Sequence, residues 1–182
     1  MPSLFNNQKK GGKKMACQTL IEQEEDCENN IGGTTEFLYN DQAEVTATTI
    51  TSGVITAMTT TTVFKTVSFK KNAASYTESE KIDLGQGSNY IEGTVSLSLK
   101  RRDSAKSNLI RIAAQGQRKM AIIMKDGNGK FWYLQNMQLS GNEGGSGDTK
   151  AAGSKYDLTF LGEYDVLAYP VEASVVAGLL VP

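Results

Sequence analysis

The first residues whose types and spacing could do chemistry are carboxylates. Asp126-Gly-Asn-Gly-Lys opens as a calcium loop does, with oxygen donors at Asp126 and Asn128, because a hard cation wants oxygens at alternate positions of a tight loop. Lys130 then stands where the third oxygen belongs and Met137 where the bidentate glutamate belongs, so the metal reading fails. Glu78 and Glu80 lie two apart, a spacing that puts both carboxyls on one face of a strand about 7 Å apart. That separation is compatible with an acid and base pair for glycoside cleavage. Glu22, Glu24, Glu25, Asp26 and Glu28 could ligate a hard cation, but such a run is ordinarily a solvated face.

Other chemistry is poorly supplied. There is no histidine, and Cys17 and Cys27 are the two cysteines. A typical zinc site therefore lacks ligands of the right kind, and the commonest general base is missing. Both thiols precede the patterned part of the chain, which favours two reduced cysteines made in a cytosol over a structural bridge. Gly85-Gln-Gly-Ser-Asn-Tyr has no third glycine and leads into a strand pattern, so it is a hairpin turn and not a dinucleotide loop. Phe131-Trp-Tyr invites a sugar-stacking role, but Trp132 must point opposite to Phe131 and Tyr133 on a strand, which favours core or subunit interface. Lys100, Arg101, Arg102, Lys106, Arg111, Arg118 and Lys119 could face a phosphate backbone. The favoured alternative is the polar face of a helix, or ion pairs between subunits with the acidic run. No residue is assigned a catalytic, cofactor-binding or metal-binding role.

The elements that would position these residues centre on Asp103 to Leu134. Met120-Ala-Ile-Ile-Met and Phe131-Trp-Tyr-Leu flank the Asp126–Lys130 turn, a β-hairpin pattern. Ser104 to Gln115 carries Ala105, Leu109, Ile112 and Ala113 at helical spacing, with Asp103 as N-cap and Gly116 just past the end. Gly93 to Leu99 alternates, with Val95, Leu97 and Leu99 on one face, as in a half-buried strand. It belongs to the second strand of another hairpin, Tyr76 to Leu84 and Tyr90 to Leu99, around Gly85 to Asn89. Glu78 and Glu80 on the first strand of that hairpin are expected to meet solvent or a partner.

Further strands are expected at Glu36–Tyr39, at Val45–Thr51 and Val54–Met58 around Ser52-Gly53, at Val63–Lys70, and at Lys155–Leu161. Ser140 to Lys155 is glycine-rich and is expected to be a long flexible excursion. About eight short strands with one helix make a β-rich α+β class, a sandwich or barrel.

With 182 residues the chain fits one domain with arms. The boundaries are 1–28 for a charged N-terminal arm, 29–169 for the β domain, and 170–182 for an apolar C-terminal arm that must dock on its own domain or a neighbour. The net charge of -1, from 19 basic and 20 acidic residues, argues against a dedicated nucleic-acid binder. No secretory signal and no segment of the roughly 20 apolar residues needed for a membrane span is present, so a soluble chain without a membrane anchor is expected.

Several motifs in order carry a resemblance. They are Cys27-x-Asn-Asn-Ile-Gly-Gly, Ser75-Tyr-Thr-Glu-Ser, Leu97-x-Leu, Lys100-Arg-Arg-Asp-Ser-Ala-Lys, Lys125-Asp-Gly-Asn-Gly-Lys-Phe-Trp-Tyr-Leu and Tyr156-Asp-Leu-Thr-Phe-Leu-Gly-Glu. From about Cys27 to Tyr169 the chain resembles virion structural proteins of tailed phages of gut Bacteroidales, including crAss-like phages. The resemblance implies a tail-tube-like β-sandwich or barrel flanked by one α-helix; the extended arms expected at both ends lie beyond the matched region. It implies a non-enzymatic ring protein, hexameric or dodecameric, that lines the DNA ejection channel of the tail. Implied partners are other copies of the chain, adjacent tail or portal-side ring proteins, and transient non-specific contact with phage DNA in the lumen. The place is the virion tail, assembled in the host bacterial cytoplasm, with no cofactor. From the residues alone, a carbohydrate-binding or adhesion β-sandwich module using Trp132 and the tyrosines is the alternative.

Overall fold

The computed structural model describes residues 30–181; the expected arm at 1–28, its acidic run, Cys17 and Cys27 lie outside the described residues. Ten strands and two α-helices are present among those described, a β-rich α+β fold. The centre is the expected hairpin: β7 (Met120–Asp126) pairs antiparallel with the first half of β8 (Phe131–Gly145). Met120 to Met124 are all buried, so β7 has core on both faces. That explains a continuous apolar run in place of alternation.

A first sheet runs β2 (Val45–Thr51), β3 (Val54–Thr60), β10 (Tyr169–Val171), β8, β7, β1 (Thr34–Asp41), β4 (Lys65–Val67). A second runs β5 (Ala74–Asp83), β6 (Ser88–Lys100), β9 (Lys155–Tyr164) and the second half of β8. Strand β8 thus belongs to both sheets, pairing β7 through Met137 and β9 from Gln138 onward. It turns the corner at Asn136, whose φ is 55°, and at a register shift between Leu139 and Gly141. Bulges of this kind bend a strand out of one sheet and into another. The result is a sandwich whose sheet stays open; it is not closed into a barrel.

Between the sheets lies one core, with Phe37, Ile122, Met124, Leu134 and Met137 facing Val95, Leu97, Leu99, Leu158 and Phe160. A second core covers the other face of the first sheet, where Leu38, Ile123, Phe131 and Tyr133 meet Ile55, Phe64, Val176 and Leu179. Each fully buried aliphatic side chain here contributes about 2 kcal/mol.

Helix α1 (Ser104–Ala114) has the expected cap: the Asp103 side chain accepts the Lys106 N–H at 2.8 Å. Gly116 takes a φ of 63° just after it, the left-handed stop that glycine tolerates. The buried face differs from the expected one. Ile110 and Ala113 are buried, whereas Ala105 and Ile112 are exposed. Four apolar residues spaced 4, 3 and 1 left two rotations open, and packing on the inter-sheet core selected the one containing Ile110.

Three other expectations are corrected. The glycine-rich excursion is half strand, because β8 continues to Gly145 along β9. Of its glycines Gly144 serves close approach: a Cβ there would come 2.5 Å from Tyr156 Cδ1. The strand expected over Val63–Lys70 shortens to β4, which pairs only with β1. Residues 170–181 are not an extended arm. Val171 pairs with Phe131 of β8 and Ile55 of β3, and a second helix, α2 (Ala173–Leu179), buries Val176 and Leu179. Apolar residues at α-helical spacing next to an uncovered sheet face bury more surface as a helix than as a lone strand.

Candidate functional site

The Asp126–Lys130 turn is a closed polar knot. Asp126 Oδ1 accepts the Lys130 N–H and Oδ2 accepts the Trp132 Nε1–H, each at 2.9 Å. Both carboxylate oxygens are thereby engaged within the hairpin. The tip is occupied by the start of the described chain. Asn128 Oδ1 accepts the Ile31 N–H at 2.7 Å, and its Nδ2 donates to Asn30 Oδ1 at 3.0 Å. Gly127 is required by closeness, since a Cβ there would lie 2.4 Å from the Ile31 carbonyl oxygen. Asn30-Ile-Gly and Asp126-Gly-Asn-Gly, from two of the motifs quoted above, therefore form one structural unit.

Trp132 is half-buried and packed against the inter-sheet core, with its only hydrogen-bond donor held by Asp126. Phe131 and Tyr133 point into the other core.

The carboxylates of β5 also find partners in their own chain. Glu78 Oε1 accepts the Tyr164 hydroxyl at 2.6 Å and the Ala168 N–H at 2.9 Å; Glu80 accepts from Asn89 Nδ2 at 3.2 Å. Glu78 is half-buried instead of meeting solvent or a partner, because β5 carries it inward toward the end of β9. Burial, followed by the Glu78 charge, pushes the Tyr76 and Tyr164 hydroxyls well above the ordinary phenol range. Among the described residues no group of three or more His, Cys, Asp or Glu could hold a metal.

The basic residues line α1 and its flanks. Lys106 pairs with Asp103 and Arg118 with Asp41 at 3.2 Å, and the Arg102 guanidinium lies 4.9 Å over the Tyr156 ring. Hydrogen bonds from Ser107 and Arg102 hold the Tyr156 hydroxyl below its ordinary value.

What remains exposed is sheet surface. The outer face of the second sheet carries aligned rows, Ser75–Ser96–Thr159 and Thr77–Thr94–Leu161, bordered by Glu92 beside Glu163. Hydroxyls dominate its middle, with Lys81 paired to Glu92 toward one end and Lys155, opposite Lys100, paired to Asp157 toward the other. Strand β2 is an unpaired edge in which no residue is buried, and no charge occurs from Val45 to Phe64. Strand β5 is the free edge of the other sheet. Beyond the end of β9, the β5–β6 hairpin projects with Ile82 61 % and Leu84 92 % exposed. An open groove of about 920 Å³ between β3 and α2 is lined by Thr59–Thr62, Val175 and Val181.

One structurally important residue left no local signal in the sequence. Gln42 donates from Nε2 to the Tyr133 hydroxyl and accepts the Asn136 N–H on Oε1, both at 3.0 Å. It thereby holds the corner at which β8 changes sheets. Comparison of the chain with protein-family models, with characterised proteins and with solved structures finds no match in any of the three.

Proposed function

We propose that this chain is a non-enzymatic virion structural protein that assembles into a homo-oligomeric ring of a phage tail, tube or barrel, lining the DNA ejection channel. The observation that carries the reading is the pair of long unpaired edges on one sandwich, β2 in one sheet and β5 in the other, beside the three-residue edge β4. Two different edges on one protomer favour head-to-tail contacts, which close into rings when the rotation allows. An uncharged edge such as β2 is what proteins that stay monomeric avoid. The projecting hairpin with Ile82 and Leu84 exposed adds apolar surface that a neighbour would cover.

The outer face of the second sheet suits a lumen. Its hydroxyl rows and the Glu92 and Glu163 border carry little free positive charge, because Lys81 is paired with Glu92 and Lys155 with Asp157, so DNA passes with little to hold its phosphates. Adjacent rings would stack above and below. Negative-stain microscopy of concentrated full-length protein tests the reading: annular particles of uniform symmetry are expected. A monodisperse monomer that persists even with virion partners added would sink it.

A further inference from the structure

The second sheet is divided by charge along its strands, and the ring reading leaves that division unexplained. At one end β6 finishes at Lys100 opposite Lys155, the first residue of β9, and β5 begins at Ala74 opposite Leu97. Segments tied to this end bring further cations. The turn Lys70-Lys71-Asn72-Ala73 closes with the Ala73 N–H on the Lys70 carbonyl at 3.1 Å, and the Ala73 carbonyl accepts the Ser98 N–H at 2.7 Å. The Arg101 N–H donates to the Ser154 carbonyl at 2.7 Å and the Arg102 N–H to the Ser154 hydroxyl at 3.3 Å, while Lys106 Nζ reaches the Arg101 carbonyl at 2.8 Å. Lys150 lies in the loop of residues 146–154, which joins Gly145 of β8 to Lys155 here. This end therefore gathers eight cations against four acids, Asp103, Glu143, Asp148 and Asp157, of which Asp103 already holds Lys106 and Asp157 holds Lys155.

The other end has the opposite sign. Glu80 pairs with Ile91 and Asp83 with Ser88 on the β5–β6 hairpin, Glu92 stands opposite Glu163 across β6 and β9, and Asp165 follows β9. Glu78 lies further in, on Tyr164 and Ala168. Against these six acids stand two cations among the described residues, Lys81 at 3.6 Å from Glu92, and Lys119 beside the recess that Glu92 and Glu163 line. A chain of net charge -1 thus separates its charges over the thirteen residues of β6, about 40 Å. We infer that the two ends are the halves of one contact: the acidic end of the second sheet in one copy seats on the basic end of the next, so that copies stack along the strand direction. The inference rests on the self-association proposed above. A second copy is the occupant because both ends belong to the same three strands, β5, β6 and β9, so that they match in width as well as in sign.

Exposed ion pairs are individually weak, so a stable contact needs apolar surface as well. The acidic end supplies it, since the hairpin that projects past β9 exposes Ile82 and Leu84. Asp83 Oδ1 accepts the Gly85 and Gln86 N–H groups at 2.9 and 3.1 Å, which fixes the turn that carries Leu84. At the basic end Ala151 and Ala152 of the 146–154 loop are exposed and give this tip an uncharged seat. The charges set the polarity: like ends repel, so copies join head to tail. A head-to-tail contact that advances along the strands does not close on itself and continues from copy to copy, while the β2 and β5 edges remain free for contacts around a ring.

The test is a charge swap in the full chain, read by sedimentation velocity in about 0.05 M and about 0.5 M salt, between which the screening length falls from more than about 10 Å to about 4 Å. Wild-type protein is expected to grow at least threefold in weight-average mass in the low salt and not in the high. One variant, Lys70→Glu, Lys71→Glu, Lys100→Glu, Lys150→Glu, makes both ends acidic; the other, Glu80→Lys, Glu163→Lys, Asp165→Lys, makes both basic. All seven positions are exposed. Each variant alone is expected to stay at its high-salt mass in both buffers, and an equimolar mixture of the two to regain the growth, which also shows that both are folded. Absence of growth in the wild type, growth of either variant alone, or a mixture that stays at the high-salt mass overturns the inference. Loss of binding to a short DNA duplex in the first variant, with its self-association unchanged, assigns the cations to nucleic acid and overturns it too. Uniform annular particles without salt-dependent growth sink the stacking and leave the ring standing. Salt-dependent linear stacks without annuli do the reverse.

Discussion

Asn128 Oδ1 and the Ile31 N–H meet at 2.7 Å across 97 positions of chain. This contact makes the central hairpin turn the clamp for the segment leading into β1. Gly127 allows the approach, and Gly129, with a φ of 85°, lets the chain turn back into β8.

Gly127→Ala places a methyl group 2.4 Å from the Ile31 carbonyl oxygen and 2.8 Å from that of Gly32. The segment 30–32 is expected to detach while the hairpin persists. Hydrogen exchange should report a much faster Ile31 amide with little change at Ile122 and Ile123. Slow exchange at Ile31 in the variant would show that the clamp is not held as described.

Gly93 and Tyr164 are coupled through space. A Cβ on Gly93 would lie 2.3 Å from the Tyr164 hydroxyl, which is itself bonded to Glu78. Gly93→Ala should cost about 2 kcal/mol, and less in a Tyr164→Phe background, because neighbours that share an obstacle are non-additive. Additive losses in denaturant melts would contradict the contact.

Trp132→Ala removes a core-packed ring and leaves Asp126 Oδ2 without its indole donor. A loss of about 3 kcal/mol is expected, with Trp132→Phe recovering part of it. A variant that melts at the wild-type temperature would free the indole for a binding role such as sugar stacking.

Alkaline pH acts through Tyr76 and Tyr164. Each keeps its proton in the fold above the ordinary phenol value of 10.0, chiefly because it is buried. A folded value above the unfolded one means that the stabilisation is fully present below pH 10 or so and is lost as pH rises through the folded values. Phenolate absorbance should show Tyr156 ionising early and a later, cooperative step coincident with loss of near-ultraviolet circular dichroism. A single non-cooperative titration would contradict the half-buried cluster of Glu78, Tyr76 and Tyr164.

Thr48→Lys places a charge on the unpaired, exposed edge β2. Surface substitutions of this kind leave monomer stability within about 0.5 kcal/mol, but a lysine on an edge blocks strand addition. Annular particles should disappear at unchanged Tm. Particles that persist would place the subunit contact elsewhere.

Much of the fold was legible because its signals are local. The Asp126-Gly-Asn-Gly turn, the Ser52-Gly53 turn, the Asp103 cap with Gly116, and the alternation of Val95, Leu97 and Leu99 each lie within a window of a few residues. Each rests on backbone sterics or side-chain period. Errors came where two readings satisfied the same pattern. The face of α1 had two admissible rotations, and the glycines of the second half of β8 looked like a loop until Tyr156 was placed against Gly144. Glu78 looked like a surface carboxylate because nothing near it in sequence announces Tyr164 or Ala168, 86 and 90 positions away.

The sequence by itself determined the class, the central hairpin, the capped helix and the inward rows of the long strands, since these follow from propensities that act between near neighbours. Only the tertiary structure decided that β8 serves two sheets, that the C-terminal residues return as β10 and α2, and that Asn128 grips Ile31. Those outcomes depend on which distant surfaces bury each other best, and that competition has no signature in any short stretch of chain.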